Sequence, residues 1–340
     1  MSEIEIEIRK KFGEVRRESQ KRAKPTKCII CGKETSEFCN SHSIPQFALK
    51  NIASNGQVIN GACALDIFFM DSKDGINRSG TFVYICRECD SKIFADYENE
   101  EALLNQPSNL LMAEIDLKNT LIQLAKRHNE VELYNIIQEK TSRLHNKSIL
   151  DTTQSLDIRD YLFDYNRAKA IIDNNLKRKY KIVYSTVLPY VVPIATQSGM
   201  ALEFDLVGNR INDIYNLSAS IRIETLHCCV FPLSKSTRIL LFHHREDKKY
   251  YLFDKQFSEL SESDKLKQIN YLVFQYTENY FAADSIKNTL QTNDALKELC
   301  RESGSYPFLG IIPKGYPLFA YRSPSIDRIP NFLGEQYKIR

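Results

Sequence analysis

Four cysteines in two pairs constrain this chain more than any other feature. Cys28 and Cys31 form one C-x-x-C, and Cys86 and Cys89 form another, all within 62 residues. Two intervening residues let the backbone turn both sulfurs of a pair inward, and Gly32 follows the first pair, where such a knuckle needs a permissive φ. Two knuckles supply the four thiolates of a closed tetrahedral zinc site. A competing set is Cys28, Cys31, Cys39 and His42, a Cys3His site that would leave the second pair without a metal. The four-cysteine reading is preferred because neither pair is orphaned. Cys63, Cys228, Cys229 and Cys300 have no such partners and read as small buried hydrophobes. His227, beside Cys228 and Cys229, reads as part of a buried strand, since adjacent strand residues point to opposite faces.

The choice of metal over disulfide depends on compartment. The opening MSEIEIEIRKKF is charged where a signal peptide would be apolar. The longest apolar candidate, 186–195, is short and broken by Pro189 and Pro193, so no membrane helix is expected. The expectation is a cytoplasmic protein with reduced thiols. Apolar residues make up 43% and charged residues 26%, which excludes collagen-like and wholly disordered chains. A length of 340 residues suggests about two domains.

Residues 1–27 read as a basic helical arm. The net charge of the chain is only +3, but Arg9 to Lys27 holds nine Lys or Arg against two Glu. Such a stretch is a solvated helix face or a phosphate-contacting extension. Residues 28–105 read as the zinc-binding module. It contains a short helix from Pro45 to Ile52, a strand bounded by Gly56 and Gly61, a polar loop over 71–80, a strand over 81–85, and a helix over 90–104. The pairs lie 54 residues apart, so an insertion is implied. Residues 106–178 read as a helical connector, with one helix from about 108, a second over 130–145, and His128 and His145 on its surface.

Residues 179–340 read as an α+β domain with a largely antiparallel sheet. Strands are expected at 181–187, 200–207, 221–231, 237–243 and 250–253, with a hairpin turn at 247–249. His243 and His244 are adjacent, so at most one should face the core. A helix capped by Ser261 is expected over 261–283, followed by a loop-rich end with prolines at 307, 313, 317, 324 and 330.

Knuckle, extended hairpin, knuckle and helix is the order of a treble-clef fold, and His42 stands in Cys-Asn-Ser-His-Ser-Ile-Pro after the first knuckle. This arrangement resembles the HNH-like ββα-metal nucleases. The resemblance implies that His42 deprotonates an attacking water and that a Mg2+ or Mn2+ ion polarises the scissile phosphate. It also implies an ion ligand on the helix after the second knuckle, either Asp90 or Asp96. The sequence departs from the family pattern at three places. Ser41 replaces the usual acid before the histidine, no asparagine lies in 81–85 (Asn77 is nearest), and Asp90 stands where Asn or His is usual.

A second resemblance covers roughly residues 42–285. His42-Ser-Ile-Pro45-Gln-Phe47-Ala-Leu49, the later Thr196-Gln-Ser-Gly-Met-Ala and Phe231-Pro-Leu-Ser234 are similar to elements of a large uncharacterised bacterial family. That family has no established reaction, and its zinc-knuckle versions lie near anti-phage defence genes. Together these readings set two expectations. The first is a metal-dependent nucleic-acid phosphodiesterase with His42 as base, Asp90 or Asp96 as ion ligand, and the basic arm and Lys92 on phosphate. The second is a non-catalytic zinc-stabilised protein that binds nucleic acid, a protein partner or a second copy of itself. No P-loop, G-x-S-x-G or H-E-x-x-H is present, so nucleotide-hydrolase, α/β-hydrolase and zincin readings have no support.

Overall fold

A computed structural model describes residues 3–65, 71–141, 147–304 and 326–340. His145 and the prolines at 307, 313, 317 and 324 lie outside these residues. The chain runs through α1 (Glu3–Arg22), β1 (Ser41–His42), α2 (Gln46–Ile52), β2 (Gln57–Asn60), α3 (Ala62–Leu65), β3 (Lys73–Gly75), β4 (Thr81–Phe82) and α4 (Arg87–Ile93). Two long helices follow, α5 (Asn109–Thr141) and α6 (Lys147–Asp173). Then come β5 (Tyr180–Leu188), β6 (Ile194–Met200), β7 (Leu226–Pro232), β8 (Thr237–His244), α7 (Tyr251–Glu259), α8 (Glu262–Tyr276), β9 (Tyr280–Ala282), α9 (Lys287–Thr292) and α10 (Asp294–Gly304). The class is α+β, as expected.

Among the described residues, seven strands form one sheet in the order β3-β2-β9-β6-β7-β8-β5, and every pairing in it is antiparallel. Alternate residues of the central strands face two different layers. Ala195, Cys229, Phe231, Leu240 and Phe242 pack with Leu117, Leu121 and Leu124 of α5 and with Leu49 of α2. Ile194, Cys228, Val230, Ile239 and Leu241 pack with Phe253 and Phe257 of α7 and with Ile269 and Leu272 of α8. Helices on both sides leave the central strands no solvent face. His243 and His244 are therefore both buried, at 3% and 1% exposure, contrary to the expectation from strand alternation. His243 Nε2 lies 3.0 Å from Asp254 of α7, and His244 Nδ1 accepts the Glu246 N–H. Cys63, Cys228, Cys229 and Cys300 are all buried, as read from the sequence.

Several boundaries differ for local reasons. The expected strand over 250–253 is helical, because Tyr250, Phe253 and Phe257 are buried while Tyr251 and Leu252 are exposed, which is helical spacing. The strand expected over 200–207 lies earlier, at β6, and 203–211 turns back on itself. There the Asp205 carboxylate accepts N–H bonds from Val207 and Asn209, an Asx turn. The expected helix over 261–283 stops at Tyr276. Its cap is as read, with Ser261 Oγ accepting the Asp264 N–H, but Tyr280–Ala282 is a strand. The two helices expected within 108–145 are one, because nothing in Arg127-His-Asn-Glu130 breaks the helix. His128 is half-buried, its ring stacked on Tyr84 at 5.7 Å.

The expected divisions at 105 and 178 do not interrupt the core. β2, from the cysteine-bearing region, pairs with β9, and Cys28, Cys89, Phe94 and Tyr97 share one apolar cluster with α5 and the sheet. α5 and α6 form a layer of the fold rather than a tether. α1 is docked as well. Buried Ser19 donates to Asn129 Oδ1 at 2.9 Å, and Arg22 and Lys140 bridge α1 to α5 through Glu139 and Glu18.

α6 is fixed to the turn after β8 by charge. The buried Asp247 carboxylate accepts from Arg167 at 2.8 and 3.1 Å and from Arg222. Burial alone would raise the Asp247 carboxyl, but the two guanidinium groups outweigh it and hold it below its ordinary value. The folded form therefore gains stability above the unfolded carboxylate range and loses it as pH falls through the depressed folded value. Asp247→Asn is expected to cost about 2–3 kcal/mol at pH 7. In urea melts at falling pH, the gap between variant and wild type should close only below the usual carboxylate range.

Candidate metal centre

Each knuckle is built by local backbone geometry. In the first, Gly32 donates to the Cys28 carbonyl at 2.8 Å and Cys28 donates to the Lys33 carbonyl at 3.0 Å. Gly32 takes φ +70°, a conformation that disfavours a side chain. In the second, Cys86 caps α4 and Cys89 lies in its first turn. The knuckles meet through strand-like contacts, with Cys39 N–H donating to the Ile85 carbonyl at 3.1 Å.

The result brings Cys28, Cys31, Cys86 and Cys89 together with all four Sγ atoms within 4.8 Å of one another. A tetrahedron of thiolates about 2.3 Å from one ion has edges of about 3.8 Å, so the cluster fits a single metal. Burial would raise the Cys28 thiol, yet N–H groups of Cys31, Cys86 and Ile30 outweigh it and bring it to about 7. Burial and the Cys86 and Cys31 thiols push Cys89 up. Cys39 and His42 stand outside the cluster. Cys39 is buried and its thiol donates to the Ile85 carbonyl at 3.4 Å, which leaves the second pair free to complete the four-sulfur set.

β1 and β4 form a separate two-stranded antiparallel sheet in which Ser41 faces Phe82 and His42 faces Thr81. The long interval between the knuckles holds α2, β2, α3 and β3, and two of these elements extend the main sheet. Gly80 leads into β4 at φ +62°, its carbonyl accepting the Ser43 N–H, and a Cβ there would meet Ser43 Oγ at 2.6 Å. His42 is half-buried, with Nε2 3.0 Å from the Ile76 carbonyl. Burial lowers its pKa while that carbonyl pulls the other way, so the imidazole is neutral near pH 7. Asn77, next to Ile76, is exposed and accepts from Gln46 at 2.9 Å.

The two aspartates part company. The expected helix over 90–104 ends at Ile93, because Phe94 and Tyr97 turn into the core and pack edge to face at 5.9 Å. Asp96 is left exposed beyond the helix. Asp90 points inward, where it accepts from Ser41 Oγ at 2.6 Å and from Lys118 Nζ at 2.8 Å. Lys118 comes from α5, its side chain has 0% exposure, and it also approaches Glu98 at 3.4 Å. Sequence reading missed Lys118. The one available signal was a cluster of charged residues, Glu114, Asp116 and Lys118, inside the apolar run of α5.

Among the described residues no helix is long and apolar enough to cross a membrane. Searches of family models, curated proteins and solved structures find no match to this chain.

Proposed function

We propose that the chain is a zinc-stabilised nucleic-acid-binding protein whose β1–β4–α4 unit works without a catalytic divalent ion. Zinc is the metal that four clustered thiolates select, and a closed four-sulfur set has a structural role. The observation that supports binding is the outer face of α1. At about 3.6 residues per turn, Lys10, Arg17 and Lys21 share one face, opposite the buried Ser19. All three are exposed, with Glu14 bordering them. Lys24, Lys27 and Lys33 lie towards the first knuckle and are exposed too, Lys27 at 3.4 Å from Glu34 and Lys33 at 3.8 Å from Glu88. A docked helix presents these charges at fixed spacing, which suits a phosphate backbone.

A second reading, the metal-dependent phosphodiesterase, draws support from His42. A neutral imidazole anchored through one nitrogen to a carbonyl keeps the other nitrogen as a base. Against it stands Asp90, already bound to an ammonium.

One experiment separates the two. Labelled DNA and RNA are titrated with the protein across a salt series, with and without Mn2+, and the products are run on a denaturing gel. Binding is expected to weaken steeply with salt and to leave the strands intact. The Lys10→Ala/Arg17→Ala/Lys21→Ala chain should lose affinity and lower the salt slope by about 2–3. An unchanged slope overturns the binding reading. Mn2+-dependent cleavage that disappears in His42→Ala would establish the second.

A further inference from the structure

We propose that Lys118 is the resident cation of the pocket between β1, α4 and α5, supplying there the charge a divalent ion would bring and keeping such an ion out. This deepens the metal-independent reading of the same unit.

The pocket is built to hold a cation. An ammonium has three donors, and three oxygens meet it: Asp90 Oδ1 and Ser41 Oγ at 2.8 Å and Glu98 Oε1 at 3.4 Å. Ser41 donates its own proton to Asp90 at 2.6 Å, so its lone pairs are turned towards Lys118. The Phe94 ring covers a further side, with its centroid 3.8 Å from Nζ, an attractive arrangement for a desolvated cation. The stem of Lys118 enters from α5, and no part of the side chain reaches solvent. The charge is thus delivered by a different element from the one that carries the carboxylate.

Two carboxylates, Asp90 and Glu98, face one ammonium. Hard divalent cations prefer carboxylate, hydroxyl and imidazole donors. Asp90, Glu98 and Ser41 offer the first two. Glu98 is 39% exposed, which gives an ion a route in from solvent. The obstacle is Nζ itself, at contact distance from the oxygens that an ion would need. Removing that charge while keeping the stem's volume should open the pocket to a divalent ion.

The test uses the full chain loaded with zinc, with MnCl2 as the probe. Wild type is expected to retain no Mn2+ through Asp90. Lys118→Met should bind about one Mn2+ per chain, read as loss of the free-ion EPR signal, and should melt higher when Mn2+ is present. Adding Asp90→Asn to that variant should abolish both effects. A variant that folds only when Mn2+ is supplied also supports the proposal. It is overturned by a folded Lys118→Met chain that binds no Mn2+, by a chain that stays unfolded in Mn2+, or by Asp90-dependent Mn2+ binding in wild type. Affinity for DNA and RNA through α1 is measured separately, so either idea can fail while the other stands.

Discussion

Cys89→Ser is expected to strip the metal from the chain and to abolish most of its folded population. Cys89 belongs to the four-sulfur cluster and is also a core residue, 9% exposed and packed in the cluster that joins the knuckles to α5. Structural zinc sites contribute about 10–16 kcal/mol of apparent binding free energy, comparable to the roughly 5–15 kcal/mol that holds a whole domain folded. The expected readings are zinc near zero per chain by elemental analysis, and a melting transition that is lost or strongly lowered. Cys229→Ser is the control. It changes an equally buried thiol on β7, outside the sulfur cluster, and should keep zinc at one per chain while costing about 1–3 kcal/mol. Full zinc retention in Cys89→Ser would rule out the four-sulfur site.

The second large effect concerns Asp90. Asp90→Ala leaves the Lys118 ammonium in the core with Glu98, Ser41 and the Phe94 ring beside it. Removing one partner of a buried ion pair costs about 3–5 kcal/mol, because the remaining charge stays desolvated. Lys118→Met on top of Asp90→Ala removes that charge and should recover a good part of the loss. The cycle of four chains, followed by urea unfolding, is therefore expected to show coupling of several kcal/mol. Asp96→Ala, at an exposed position a few residues along, should stay within about 0.5 kcal/mol of wild type. Equal effects at the two aspartates would contradict the geometry.

The cysteine cluster was legible because its determinants are short-range. Two residues between sulfurs and a glycine after the first pair are local backbone requirements that a string of letters carries in full. The helix after Pro45, the strand before Gly61, β5, β8 and the Ser261 cap were legible on the same ground. Lys118 was not, because what makes it important is the arrival of α5 against α4, a tertiary event that no spacing encodes. The histidine pair failed differently. Alternation along a strand says which face a residue points to, but not that both faces are covered. The helix at Tyr251 was hidden by composition, since aromatic residues that favour strands also serve a buried helix stripe at 250, 253 and 257. Of the candidate site, the choice between Asp90 and Asp96 was left open by the sequence, and only the gathering of the four cysteines followed from sequence order. The cation that occupies Asp90 did not.

The pairing of β2 with β9 orders events in time as well as in space. Asn60 and Phe281 are register partners, so β2 leaves the ribosome long before the strand that will flank it exists. At about 5–20 residues per second, the wait is on the order of tens of seconds. All four clustered sulfurs have been synthesised by residue 89, early in that interval. Metal capture can thus precede sheet closure, and a nascent chain that has taken up its ion would hold β1, β4 and α4 in place while the edge of β2 still awaits its neighbour. The same order makes β9 a late and vulnerable step. A chain cut short before Tyr280 would retain all four sulfurs yet expose an unpaired strand edge, the kind of surface that chaperones cover and that aggregates recruit.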